Sequence, residues 1–124
     1  MKYILPLSVL LLTGMNCASA SDLQLTAAEI KARIIGNTVL GVEDGNPYQE
    51  YFNPNGSISG KSSTETYTGA WRIQGDKLCM GYESDDESGQ INDWNCSDVG
   101  VIGDRVIWND DGELSEGKLV AGGK

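Results

Sequence analysis

From Thr38 to the C-terminus apolar and polar positions alternate with a period of two, and clusters of Gly, Pro, Asn and Asp interrupt the alternation at short intervals. Ahead of Thr38 the spacing is helical. Thr26-Ala27-Ala28-Glu29 has the form of a capping box, with a hydroxyl placed for the third backbone N–H and a carboxylate placed to reach back. Ile30 and Ile34 then fall on one face, Glu29, Lys31 and Arg33 point mostly to water, and Gly36-Asn37 ends the run. A helix of ten residues is marginal alone. Its expected role is to cover one end of a β core with Leu25, Ile30 and Ile34, in preference to acting as a lid.

The period-two region predicts strands over Thr38–Glu43, Tyr48–Asn53, Ser57–Lys61, Thr66–Ile73, Lys77–Glu83, Trp94–Ile102 and Arg105–Asn109, with Lys118–Ala121 as a final edge strand. Turns are expected at Asp44-Gly45-Asn46-Pro47, Pro54-Asn55-Gly56, Ser62-Ser63-Thr64, Gln74-Gly75-Asp76 and Gly103-Asp104. Tyr67, Gly69, Trp71 and Ile73 form one apolar stripe, and Leu78, Met80 and Tyr82 another. The fold class is therefore mainly β: an antiparallel meander of seven or eight strands, as a small barrel or curved sheet, with one short N-terminal helix. Curling hides the sheet edges. A two-sheet sandwich is the alternative.

The first twenty residues read as an address. Met1-Lys2 is a short basic start, Ile4–Leu12 is apolar apart from Pro6 and Ser8, and Ala18-Ser19-Ala20 supplies small residues for cleavage. The domain organisation is thus a signal peptide over 1–20 and a single β-rich domain over 21–124, periplasmic or secreted, with no membrane span. Cys17 raises lipidation as a rival, but Gly14-Met15-Asn16 does not resemble a lipobox. Cleavage removes Cys17 and leaves Cys79 and Cys96 as a pair in an oxidising compartment, so a Cys79–Cys96 disulfide is expected. If the two residues face each other, their positions sum to 175 and centre the hairpin between Glu87 and Ser88, beside Gly89. A redox role is disfavoured by the intervening acids.

Composition narrows function. The 124 residues include 18 acidic and 9 basic side chains and no histidine, for a net charge of −9. Loss of Lys2 with the signal peptide takes the mature chain to −10. Without histidine there is no Ser-His-Asp or Cys-His site and no His-ligated zinc. An acidic surface repels phosphate backbones, so nucleic acid is not an expected partner. Asp110-Asp111-Gly112-Glu113 and Asp85-Asp86-Glu87 could offer oxygen to calcium, but an EF-hand pattern ending at Gly112 would begin at Ile107, and solvated hairpin tips are expected instead. Paired carboxylates across a cleft could hydrolyse glycosides, but a domain of this size seldom carries such a cleft. No enzymatic activity, cofactor or metal is expected.

Leu25-Thr26-Ala27-Ala28-Glu29-Ile30, Gly36-Asn37-Thr38, Tyr51-Phe52-Asn53-Pro54-Asn55-Gly56, Gly69-Ala70-Trp71-Arg72-Ile73 and Gly75-Asp76-Lys77-Leu78-Cys79 together resemble a family of small exported proteobacterial β-rich domains of unknown function. The resemblance covers about Leu25 to Cys96 and implies a periplasmic β-rich domain with a paired cysteine. It implies no activity.

Two function classes follow. The first is a non-enzymatic binding module for a small apolar or amphipathic ligand held by the curved sheet, with Trp94 beside Tyr82 at a barrel mouth and Arg72 as a carboxylate anchor if its face lines a cavity. The alternative is an acidic protein-binding or inhibitory module for a cationic exported protein such as a cell-wall hydrolase, with Asp85, Asp86 and Glu87 on a loop steering the partner. In size, export and disulfide use the chain is similar to small secreted lysozyme inhibitors, a likeness of architecture alone.

Overall fold

The computed structural model describes residues 24–84, 89–91 and 93–123. The proposed signal peptide, Cys17 and the acids Asp85, Asp86 and Glu87 lie outside the described residues.

The capping box forms. Glu29 N–H donates to Thr26 Oγ1 (3.3 Å) and Thr26 N–H donates to Glu29 Oε1 (3.1 Å), opening helix α1 over Ala27–Arg33. The helix is shorter than the ten residues expected. Ile34 is its C-cap, Gly36 turns the chain at φ +87°, and Asn37 Nδ2 donates to Arg33 O (2.8 Å), satisfying a carbonyl that would otherwise lack a partner. Leu25, Ile30 and Ile34 are buried in the core, so the helix covers one end of the sheet. It is tied there by Ala27 N–H to Asp76 Oδ1 (2.9 Å) and Leu25 N–H to Val99 O (2.6 Å).

Eight strands follow: β1 Thr38–Glu43, β2 Asn46–Phe52, β3 Ser57–Ser62, β4 Thr66–Gln74, β5 Lys77–Tyr82, β6 Trp94–Ile102, β7 Arg105–Asp110 and β8 Glu113–Val120. Each pairs antiparallel with the next, and β1 pairs with β8, giving a closed barrel. The final strand corrects the expectation of a short edge over Lys118–Ala121. It runs from Glu113 and is paired on both sides, so the described barrel has no open edge there. At the closing seam Gly41 opposes Gly117, where a Cβ on Gly117 would press on Val39 and the Leu40 carbonyl.

Four hairpins are two residues long, and their chemistry is regular. Asp44-Gly45 (φ +50° and +79°) and Asp111-Gly112 (+49° and +92°) have both central residues at positive φ, the I′ pattern. Gly75-Asp76 and Gly103-Asp104 have only the glycine positive, at +59° and +61°, the II′ pattern. The first of these turns is tighter than the four residues expected, and Pro47 falls inside the first residues of β2, a position where proline is tolerated.

Cys79 and Cys96 are direct register partners and are joined by a disulfide, as their positions implied. They face the outer wall. Inside, Val39, Phe52, Ile58, Leu78, Val99, Val106 and Trp108 are buried, and the Phe52 and Trp108 ring centroids lie 6.3 Å apart. Trp71 packs against this core and donates its indole N–H to Asn53 O (2.8 Å). An eight-stranded barrel is just wide enough for side chains to fill, and these residues fill the half nearest the helix.

Candidate functional site

The meander sends alternate connections to opposite ends. The helix end carries the β2–β3, β4–β5 and β6–β7 turns, and the open end carries β1–β2, β3–β4, β5–β6 and β7–β8. Acids accumulate at the open end: Glu43 and Asp44, Glu65, Glu83 and Asp93, then Asp110, Asp111 and Glu113. Among the described residues Lys61 is the one basic side chain near them. The remaining described bases sit on α1 (Lys31, Arg33) or toward the helix end of the wall (Arg72, Lys77, Arg105, Lys118). Two ion pairs, Lys77–Asp98 at 3.2 Å and Arg105–Glu116, further balance charge away from the open end.

Below that rim a buried carboxylate occupies the barrel interior. Glu50 lies between the inward residues Tyr48 and Phe52 of β2 and is 8% exposed. Its Oε1 accepts from Tyr67 Oη (2.8 Å) and Tyr82 Oη (2.9 Å), and its Oε2 accepts from Tyr82 Oη (3.1 Å). The two rings meet edge to face with centroids 5.7 Å apart. Glycines make the room. Gly41 is the register partner of Tyr48, Gly60 of Tyr67 and Gly69 of Tyr82, and in each pair the tyrosine ring lies where a Cβ on the glycine would project.

No basic side chain among the described residues pairs with Glu50. Burial pushes its carboxyl above the usual range, the hydroxyls of Tyr67 and Tyr82 oppose that, and the charge of Glu43 adds to it. Burial also raises Tyr67 and Tyr82, with the neighbouring Glu50 charge raising them further, so both phenols stay protonated and remain donors. Tyr48 is raised by burial and then by Glu50 and Glu43. The cluster can hold a proton on Glu50 or a cation against it.

The three side chains expected to form a ligand site do not converge. Tyr82 points into the mouth and is 40% exposed. Trp94 opposes Gly81 and Arg72 opposes Cys79, which sets both on the outer wall beside the disulfide. There the Arg72 guanidinium carbon sits 4.1 Å from the Trp94 ring centroid, a cation–π stack. Arg72 therefore lines no interior space. Shallow grooves on the outer wall, of about 480 Å³ beside Leu40, Val42, Pro47 and Gln49 and about 360 Å³ beside Ile107 and Leu114, are open to solvent. Among the described residues no group of three or more His, Cys, Asp or Glu side chains is arranged to hold a metal ion, and no helix is long and apolar enough to cross a membrane.

Glu50 was the residue that sequence reasoning missed. Its signal was present: the alternation Tyr48–Glu50–Phe52 sets a carboxylate on the apolar face of a strand. Compared with protein-family models, with curated proteins and with solved structures, the chain matches none.

Proposed function

We propose that this protein is an exported, non-enzymatic binding module whose acidic open end engages a cationic partner protein, for example a cell-wall hydrolase. The observation that carries the reading is the one-sided charge: acids ring the end opposite the helix, while described bases other than Lys61 lie elsewhere. Such a field raises the encounter rate with an oppositely charged surface and orients it. Asp85, Asp86 and Glu87 belong by sequence to the connection between β5 and β6 and add to the same charge. Export is supported by the leader-like first twenty residues and by the Cys79–Cys96 bond, which suits an oxidising compartment.

The other reading, a calyx for a small apolar or amphipathic ligand, needs interior room. Core side chains occupy the helix half of the barrel, and the buried Glu50 carboxylate with its tyrosine hydroxyls makes the other half polar, so the charged rim is the better-supported surface. Calorimetric titration of the mature protein with a lysozyme-type hydrolase across salt concentrations tests the proposal. Affinity should fall steeply with salt. Salt-independent binding, or none, would remove it.

A further inference from the structure

We infer that the Glu50–Tyr67–Tyr82 cluster is a seat for a single primary ammonium group, supplied by a lysine side chain of the cationic partner. This rests on the binding reading above and deepens it, by naming the group that the open end takes in.

The geometry selects the cation. Glu50 is a buried acceptor with no basic side chain of this chain set against it among the described residues, and burying a charge without a counter-ion is costly. Two hydroxyls offset part of that cost but bring no positive charge. An ionised carboxylate has about four lone-pair sites. Tyr67 and Tyr82 both donate to Oε1, whereas Oε2 has only a longer share of the one Tyr82 proton, so Oε2 keeps most of its acceptor capacity for an incoming donor. A guanidinium binds best as a fork across both oxygens, and Oε1 is already taken. A compact ammonium on a thin alkyl stem needs only one oxygen.

The surroundings favour the same group. Tyr48, Tyr67 and Tyr82 surround Glu50, and aromatic rings attract a cation at their faces and give apolar surface to the methylenes behind it. Tyr82 is 40% exposed, which marks the approach from solvent, and the acids around it make that approach electronegative. A hard divalent cation is a poor fit. It would require six or more oxygens, and the cluster supplies one carboxylate and neutral phenols already engaged as donors.

The test uses n-butylammonium as the probe, with n-butylguanidinium and n-butanol as controls of the same alkyl chain, titrated into the mature protein while the ring resonances of Tyr67 and Tyr82 are followed by NMR. Saturable shifts are expected with the ammonium, weaker ones with the guanidinium and none with the alcohol. Glu50→Gln should weaken ammonium binding roughly tenfold or more, since hydrogen bonds to charged groups carry about that much. Absence of saturable shifts in the unaltered protein overturns the inference without recourse to any variant, and equal binding by Glu50→Gln overturns it too. Either result can coexist with salt-dependent binding of the hydrolase, so failure of the seat and failure of the acidic-rim reading are distinguishable.

Discussion

The Tyr82 hydroxyl donates to both carboxylate oxygens of Glu50, at 2.9 and 3.1 Å, across 32 residues of sequence. These residues lie on β5 and β2, which are not neighbours in the sheet, so the contact spans the barrel interior. It makes the mouth a polar layer above an apolar one. The consequences for stability, charge and binding can be measured separately.

Glu50→Gln should change the pH dependence of folding. The folded-state pKa of Glu50 lies above its ordinary value of 4.5, so its contribution to stability is fully present below that value and is lost as pH rises through the raised one. The variant removes this loss while keeping an acceptor for the tyrosines. Urea unfolding of both proteins between acid and neutral pH should show the variant gaining on the parent as pH rises. A constant difference would show that Glu50 has no raised pKa.

Gly60→Ala should cost about 1 to 3 kcal/mol, the usual range for overpacking, because the added methyl would overlap the Tyr67 ring. The loss should shrink when Tyr67 is also replaced by alanine. Equal losses in both backgrounds would dissociate the glycine from the ring.

The tryptophans should separate by face. Trp108→Ala, at 7% exposure inside the barrel, should cost about 3 to 5 kcal/mol. Trp94→Ala removes an outer-wall stack on Arg72, with an expected loss of about 0.5 to 1 kcal/mol for that contact. Thermal or urea unfolding of the two variants gives the comparison. A large loss for Trp94 would return it to the core.

Replacing Cys79 and Cys96 by serine should destabilise the domain by about 3 kcal/mol, the value for closing a loop of this size in the unfolded chain. The measurement is urea unfolding under non-reducing conditions. An unchanged midpoint would deny the bond its structural role.

Much of the fold was legible because its local chemistry is consistent. Asp-Gly and Gly-Asp pairs mark the four tight hairpins, and the cysteine positions, once paired, imply the register found between β5 and β6. Closure was less legible. It depends on β1 meeting β8 across most of the chain, and the first half of β8, Glu113–Glu116, is exposed and lacks the apolar alternation that reveals a strand. The candidate site was the least legible part. Trp94 and Tyr82 are close along the sheet, but a one-residue offset in register puts their side chains on opposite faces. Glu50 stood out only once Tyr67 and Tyr82 were brought to it from two other strands.

The most direct test of the acidic-end account compares two variants of equal net charge. Asp44→Asn/Asp111→Asn removes two charges from the open-end hairpins, at positive-φ positions that asparagine tolerates, and Asp98→Asn/Asp104→Asn removes two from the wall and the helix end. Affinity for a lysozyme-type hydrolase is then measured for both at low and moderate salt. The account expects the open-end variant to bind several-fold more weakly with a shallower salt slope, and the other to stay near the parent. Equal weakening of the two would reduce the effect to net charge and contradict a directed acidic face.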